Sequence, residues 1–513
     1  MKVIYQIYPL SFKDTNNDGI GDIGGVIEKL PYLKELGVDY IWLTPIYESP
    51  MIDNGYDISD YYNISPIFGT NDEFLKLLTE AKKMDMNIIM DLVLNHTSSE
   101  HKWFKEAKKS KDNPFRNYYI WSEKPSDITS TFSGNAWTKD ELTNEYYFHL
   151  FAKEQPDLNW QNEKVRHEMY KMINYYIDSG VKGFRLDVLD LIGKDVKTNK
   201  LSNGPYLLEY LEELYETCFK GKDIYTVAEM GIPLEVSKII TEKGYLSSIF
   251  QFDHIILDEV KGKGKWALRD LELLELKEVF NNYQSNPSII PLFWSNHDQP
   301  RALGRYLNLD YRYYGQTMLF TLLYLQRGHI YIYQGEEFGM SGLGYQPINV
   351  YKDVESINFF NYSKESTEEK LKSLKVKSRD HSRTPMQWDD SLYAGFSNRK
   401  PWIIVNPNYQ EVNCLKDLNS ANSIYYFLKK FIELKKTIKT LSKGSFEMLL
   451  WENEDIFAYK RTLDETYIII ANFKDKCVCL DLKLQDYEIV LNNYDTLTSK
   501  LNPYQAIVLK IIK

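Results

Sequence analysis

Gly183-Phe184-Arg185-Leu186-Asp187-Val188 is a short run in which an arginine and an aspartate stand two residues apart among glycine and apolar side chains. Extended backbone sends alternate residues to opposite sides, so Arg185 and Asp187 share one face of a strand. Seven more β-rich runs accompany it: Ile4–Tyr8, Tyr40–Leu43, Asn87–Leu94, Ile224–Glu229, Ser247–Phe252, Ile289–Asn296 and His329–Gly335. Between them lie amphipathic stretches such as Asp72–Met84 and Lys164–Ser179, with apolar residues at three- and four-residue spacing. Alternation of this kind marks βα units around a parallel sheet. Eight strands are the number that closes a (β/α)8 TIM barrel, and the expected class is therefore α/β.

Two stretches depart from the pattern. From His96 to Trp160 the chain has no clear helical period, and connections of that length are commonly functional or small domains in themselves. The expectation is a barrel formed by residues 1–96 and 161–440, with 97–160 an inserted subdomain after strand 3. After the amphipathic segment Ser423–Ile438, alternating runs such as Phe457–Tyr459, Tyr467–Ala471 and Ala506–Ile511 predict a C-terminal antiparallel β-sandwich domain over 441–513.

Composition narrows the function. A net charge of −10 over 513 residues argues against nucleic acid as a partner, because phosphate contacts require a basic excess. No window is long and apolar enough to span a bilayer, and the first residues lack the pattern of a secretory signal. Cys218, Cys414, Cys477 and Cys479 are too scattered for a disulfide framework or a zinc site. Reduced thiols in a cytoplasmic, monomeric protein are expected. Aromatics reach 14%, an excess that suits stacking on sugar faces as well as core packing.

The predicted strand ends carry an unusual polar set: Asp91, Asn95 and His96 on the third, Arg185 and Asp187 on the fourth, Glu229 on the fifth, and His297 and Asp298 on the seventh. Strand ends of this kind face a barrel's active site. A single aspartate there is commonly a helix cap or an ion-pair partner. Three carboxylates at three strand ends, beside Arg185, His96 and His297, point instead to chemistry. Two converging carboxyl groups are what glycoside hydrolysis needs, one attacking the anomeric carbon and the other protonating the leaving oxygen. Arg185 is expected to keep Asp187 ionised, and partial desolvation near anionic neighbours to raise Glu229 toward the working range of an acid.

These segments resemble the α-amylase family of glycoside hydrolases over nearly the whole chain, within it the oligo-1,6-glucosidase and dextran glucosidase branch. Asp91–His96, Gly183–Val188, Glu229 and Phe293–Arg301 match its four ordered motifs, and Gln155–Asn159, Gly55–Asp57 and Arg383–Trp388 match further segments. The resemblance implies Asp187 as nucleophile, Glu229 as acid/base and Asp298 as transition-state stabiliser. It also implies Asp57, His96, Arg185, His297 and Arg383 around a terminal glucose. Glu336 and Glu337, the rival acids, are read as structural.

Asp14, Asn16, Asp18, Ile20 and Asp22 place oxygen donors at alternate positions around Gly19, like the first half of a calcium loop. The twelfth position is Gly25 rather than glutamate, which rules out an EF-hand. The resemblance implies structural Ca²⁺ here. Val188, beside the nucleophile, accompanies α-1,6 preference in the resembled branch. An exo-acting, retaining α-glucosidase of isomalto-oligosaccharides is expected. Lys261, Lys263 and Lys265 keep trehalose-6-phosphate hydrolysis open; sucrose isomerisation and a catalytically dead sugar-binding relative are further readings.

Overall fold

A computed structural model describes residues 1–286, 288–482 and 486–512. Eight parallel strands form one sheet: β1 (Val3–Ile7), β2 (Tyr40–Leu43), β3 (Asn87–Val93), β4 (Gly183–Asp187), β5 (Tyr225–Ala228), β6 (Ser248–Ile249), β7 (Pro291–Leu292) and β8 (His329–Tyr333). Their ladder order is β6-β5-β4-β3-β2-β1-β8-β7, the circular order of a (β/α)8 barrel. β6 and β7 are shorter than their apolar runs predict. Pro291 has no N–H to donate and so stands at the start of β7, where a strand tolerates proline.

Alternation divides each strand between two cores. Ile4, Tyr40, Trp42, Ile89, Tyr225, Val227 and Tyr331 plug the barrel lumen. Ile41, Leu43, Met90, Phe184 and Leu186 face outward and pack with the helices. The inward positions above the plug are polar. Asp91 and Arg185 are Cα partners in the β3–β4 ladder, and Arg185 also pairs with Val227 of β5.

The helices follow local rules. Asn71–Lys83 starts with a capping box between Thr70 and Glu73 and buries Phe74, Leu77, Leu78 and Ala81 at helical spacing. Glu163–Asp178 and Ile424–Thr437 lie within one residue of their predicted bounds.

Residues 97–160 contain the helix Lys102–Ala107 and a small antiparallel sheet of Trp121–Ser122, Glu145–Phe148 and Trp137–Asp140. A buried cation pins this insertion to the barrel. The Lys194 ammonium reaches Asp157 at 2.9 Å, the Leu191 carbonyl at 3.1 Å and the Asn95 amide oxygen. Trp160 donates to the Leu94 carbonyl at 2.6 Å, closing the insertion's exit on the end of β3.

The C-terminal region is a five-stranded antiparallel sheet with both faces covered. Ile456, Ala458, Ile470, Ile507 and Leu509 pack with Val478 and Leu501, which belong to a two-stranded ladder. Phe457, Tyr459, Ile469 and Val508 join the main core. Arg461 crosses to the barrel and donates to the Leu325 and Gly444 carbonyls, both at 2.8 Å. The four cysteines are free thiols, and among the described residues no helix is long and apolar enough to cross a membrane.

Removing the Arg461 fork strands two buried acceptors, at about 1–3 kcal/mol each. Arg461→Ala is therefore expected to lower stability by at least about 2 kcal/mol, read as a fall in melting temperature. An unchanged melting curve would remove Arg461 as the clamp between sheet and barrel.

Candidate active site

At the C-terminal ends of the strands lies a cavity of about 260 Å³, small beside the roughly 300–1,000 Å³ of most ligand pockets. Asp187, Val188, Glu229 and Asp298 line it with Asp53, Tyr56, His96, Phe132, Phe151 and Arg379. A larger recess of about 430 Å³ lies at the seam between insertion and barrel; of its two acids, Glu145 is engaged by Arg116 and Lys111 and Asp195 accepts from Thr198 and the Lys197 N–H. The converging carboxylates are in the smaller cavity.

Arg185 organises that convergence from beneath. Its guanidinium bonds to Asp91 at 2.8 Å and Asp187 at 2.6 Å, and contacts the Glu229 carboxylate. The sequence linked Arg185 to Asp187 alone; across the sheet it serves three acids on β3, β4 and the end of β5. Burial pushes Asp187 up to about 7 while Arg185 pulls it down. Glu229 is the more open of the pair, its side chain 25% exposed against 9% for Asp187.

The strand ends are locked together by backbone. Val188 has φ 35° and ψ 45°, a left-handed conformation that strains a β-branched residue. This turn aims the Leu189 N–H at the Glu229 carbonyl, 2.9 Å away, while the Glu229 N–H donates to the Leu186 carbonyl at 2.9 Å. The segment carrying Asp187 is thus joined to Glu229 by two backbone hydrogen bonds, and Val188 lines the cavity wall.

Asp298 is held by three groups. His297 Nε2 lies 2.8 Å from it, and Arg379 and Arg383 donate to it at 3.0 and 2.7 Å. Burial would raise Asp298, but these partners hold it well below the usual carboxylate range. Burial lowers the His297 pKa, while the neighbouring Asp298 raises it. Gln6 and Tyr56 fix its ring, each at 2.7 Å. His96 is likewise depressed by burial, to about 4, and contacts Gln155 and the Tyr56 carbonyl.

Asp57 is placed differently from the sequence expectation. It is fully buried, and its oxygens accept from Ser49 and from the Ile52 and Asp53 N–H groups at 3.0 Å, away from the cavity wall. Asp53, four residues earlier, lines the cavity instead. It bonds to Arg379 at 3.1 Å, and burial pushes it up to about 6. Left-handed Asn54 and Gly55 reverse the chain between the two aspartates, a turn that composition alone does not orient. Arg379 has a legible signal, since it precedes Arg383 by four residues and the helical turn Asp380–Arg383 puts both on one side. Arg383 reaches Asp298 from behind, also donating to the His297 carbonyl at 2.9 Å.

Glu336 and Glu337 are buried outside the cavity. Glu337 accepts from Tyr5 at 2.7 Å and Tyr32 at 2.9 Å, and Glu336 from the Tyr333 N–H at 3.0 Å. Of the three lysines flagged in the sequence, Lys265 alone lines the cavity, and Glu355 engages it at 2.5 Å.

In the loop Asp14–Asp22, Asp14 accepts from the Asn17 and Gly19 N–H groups, and Asp22 from Thr15, Asn16 and Gly25. Asp14 and Asp22 are buried. Among the described residues, none of Asp14, Asp18 and Asp22 has a lysine or arginine within 4.0 Å. Nor do three acidic, histidine or cysteine side chains converge on one point there, so amide and carbonyl oxygens must complete any shell. The loop's donors are all oxygen atoms, the type a hard divalent cation takes, and both buried carboxylates are occupied by hydrogen bonds from the loop itself.

A (β/α)8 barrel whose strand ends bring Asp187, Glu229 and Asp298 to one cavity has the converging carboxyl groups that glycoside hydrolysis needs. The chain belongs to the α-amylase family and is a glycoside hydrolase; the profile "Alpha amylase, catalytic domain" matches residues 6–444. It is 44% identical to the oligo-1,6-glucosidase of Bacillus cereus, covering 99% of this chain and 98% of that one. Identity to the glucan 1,6-alpha-glucosidase of Streptococcus pneumoniae is 45%, over 92% and 91% of the two chains. The crystal structure of trehalose-6-phosphate hydrolase from Bacillus licheniformis superposes with a TM-score of 0.94 at 40% identity, covering 100% and 99%.

Arg185→Gln leaves the burial of Asp187 unopposed, so its pKa rises further. The acid limb of kcat/KM is expected to move to higher pH by about one unit or more. A limb that stays in place would separate Arg185 from the ionisation of Asp187.

Proposed function

We propose that this enzyme is a retaining, exo-acting α-glucosidase that releases the non-reducing terminal α-1,6-linked glucose of isomalto-oligosaccharides. The observation that carries the reading is the convergence of Asp187, Glu229 and Asp298 on one cavity at the strand ends. Asp187 attacks the anomeric carbon while Glu229 protonates the departing oxygen. Glu229 then takes a proton from water, which hydrolyses the glycosyl-enzyme, and two inversions leave the α-anomer.

Arg185, paired with Asp187, opposes the effect of burial and favours the ionised nucleophile. Asp298, kept anionic by Arg379 and Arg383, supplies negative charge to an oxocarbenium-like transition state. Asp53 with Arg379, and neutral His96, line the cavity where hydroxyls of the terminal sugar bind. Phe132 and Phe151, 5.5 Å apart, give that end apolar walls.

The α-1,6 linkage is supported by the apolar wall of Val188 and by the names of the two relatives above. A phosphorylated sugar would need free cations at the cavity mouth. Lys265 is engaged by Glu355, and Arg379 by Asp53, Asp298 and Asp353. Isomaltose and panose are expected to be hydrolysed faster than maltose, sucrose and trehalose 6-phosphate, with α-glucose appearing first by NMR. Dominant turnover of trehalose 6-phosphate would reject the linkage, and release of β-glucose the mechanism.

For the Asp14–Asp22 loop the proposal is a structural Ca²⁺ held by Asp14, Asn16, Asp18, Asp22 and the Ile20 carbonyl. The ion would neutralise the loop's carboxylates and take no part in the chemistry. Chelation is expected to lower the melting temperature and added Ca²⁺ to restore it. A melting temperature indifferent to both would exclude the ion.

A further inference from the structure

The helix Val354–Tyr362 touches the active site at three points along its length. Its N-cap, Asp353, accepts from Glu355 and Ser356 of its own first turn and also from Arg379 Nε at 2.7 Å. Arg379 in turn grips Asp298 and Asp53. Glu355, in the first turn, lines the cavity and holds Lys265. One turn further, Asn358 Nδ2 donates to the Phe132 carbonyl at 3.0 Å, across 226 residues of sequence.

Phe132 belongs to the insertion. It sits on a tight turn in which Ser133 and Gly134 are left-handed and the Ser130 N–H closes on the Gly134 carbonyl at 2.9 Å. Its ring lines the cavity, lies 5.1 Å from the Arg379 guanidinium and packs edge-on against Phe151. Within the insertion the turn is held from one side, through the Leu150 and Phe151 carbonyls. Among the described residues, Asn358 is the one side chain outside the insertion that hydrogen-bonds to this turn. Trp266 stacked on Phe359, at 4.3 Å and 10°, anchors the helix that carries Asn358.

We propose that Asn358 is a positioning residue, whose hydrogen bond to the Phe132 carbonyl sets the turn 130–134 as the roof of the cavity. The same helix fixes Arg379 through Asp353, so roof and transition-state charge are referenced to one rigid element. The amide does not touch the reacting atoms. Its effect is to hold the Phe132 ring where it confines a single sugar ring, so losing it should cost substrate affinity before it costs chemical rate. The proposal rests on the reading of this cavity as the site of the terminal glucose.

The test uses Asn358→Leu, which keeps the volume without a donor, and Asn358→Asp, whose ionised side chain cannot donate. Both are expected to raise KM for isomaltose about fivefold, the worth of one hydrogen bond, with kcat nearly unchanged. Both should also speed hydrogen exchange of the amides at 129–135, while Asn358→Gln, which keeps the donor, returns both readouts toward those of the unaltered enzyme. Unchanged KM and exchange in the Asn358→Leu and Asn358→Asp enzymes alike would overturn the proposal, as would a lower kcat with KM and exchange unmoved. An unaltered enzyme that hydrolyses no glucoside would reject the proposed function; exchange at 129–135 would then still decide whether Asn358 holds the roof.

Discussion

A buried guanidinium shared by acids on three neighbouring strands is the constraint on which this active site depends. Isolated, Asp91 and Asp187 inside a barrel would be costly to ionise, and Arg185 would be equally costly without them. Together they make the top layer of the lumen polar, with each carboxylate in contact with the guanidinium. The parallel register allows this, because Asp91 and Arg185 are direct Cα partners and Asp187 follows on the same face. Trp42 and Tyr56 complete the setting, with their rings 5.4 and 5.8 Å from the guanidinium.

A second layer of ion pairs repeats the device around Asp298. Arg379 and Arg383 rise from one helical turn, and Asp353 binds Arg379 from the far side, held far below the usual carboxylate range by these cations against its burial. The result is an electrostatic gradient across a small cavity. Asp298 stays firmly anionic, whereas burial lifts Asp53 and Asp187. Carboxylates with such different surroundings can take different roles in one reaction.

Strain and cross-bracing supply the precision. The left-handed Val188 stores conformational cost at the residue after the proposed nucleophile, and the backbone hydrogen bonds that join two strand ends hold it there. Lys194 does comparable work for the insertion, a single ammonium gathering oxygen atoms from the loop after β3, the insertion's exit and the turn after β4. Loops are free to carry the substrate contacts because the barrel beneath them is close-packed and rigid.

By itself the sequence determined the strand and helix periods, hence the barrel, and the identity of the residues at the strand ends. These are local properties: alternation selects a face, and a strand's last inward residue must look into the mouth of the barrel. Asp187 and Glu229 were legible on that ground, whereas His96, His297 and Asp298 lie beyond the ends of their strands and were legible through the motifs that carry them. Only the tertiary structure decided between Asp53 and Asp57, since two aspartates on one loop are separated by the backbone reversal at Asn54 and Gly55. Only it brought Asp353 and Phe132 to the site, because they come from segments more than two hundred residues apart whose meeting depends on the closure of the barrel. It also widened the role of Arg185, which the linear spacing tied to one acid and the sheet ties to three.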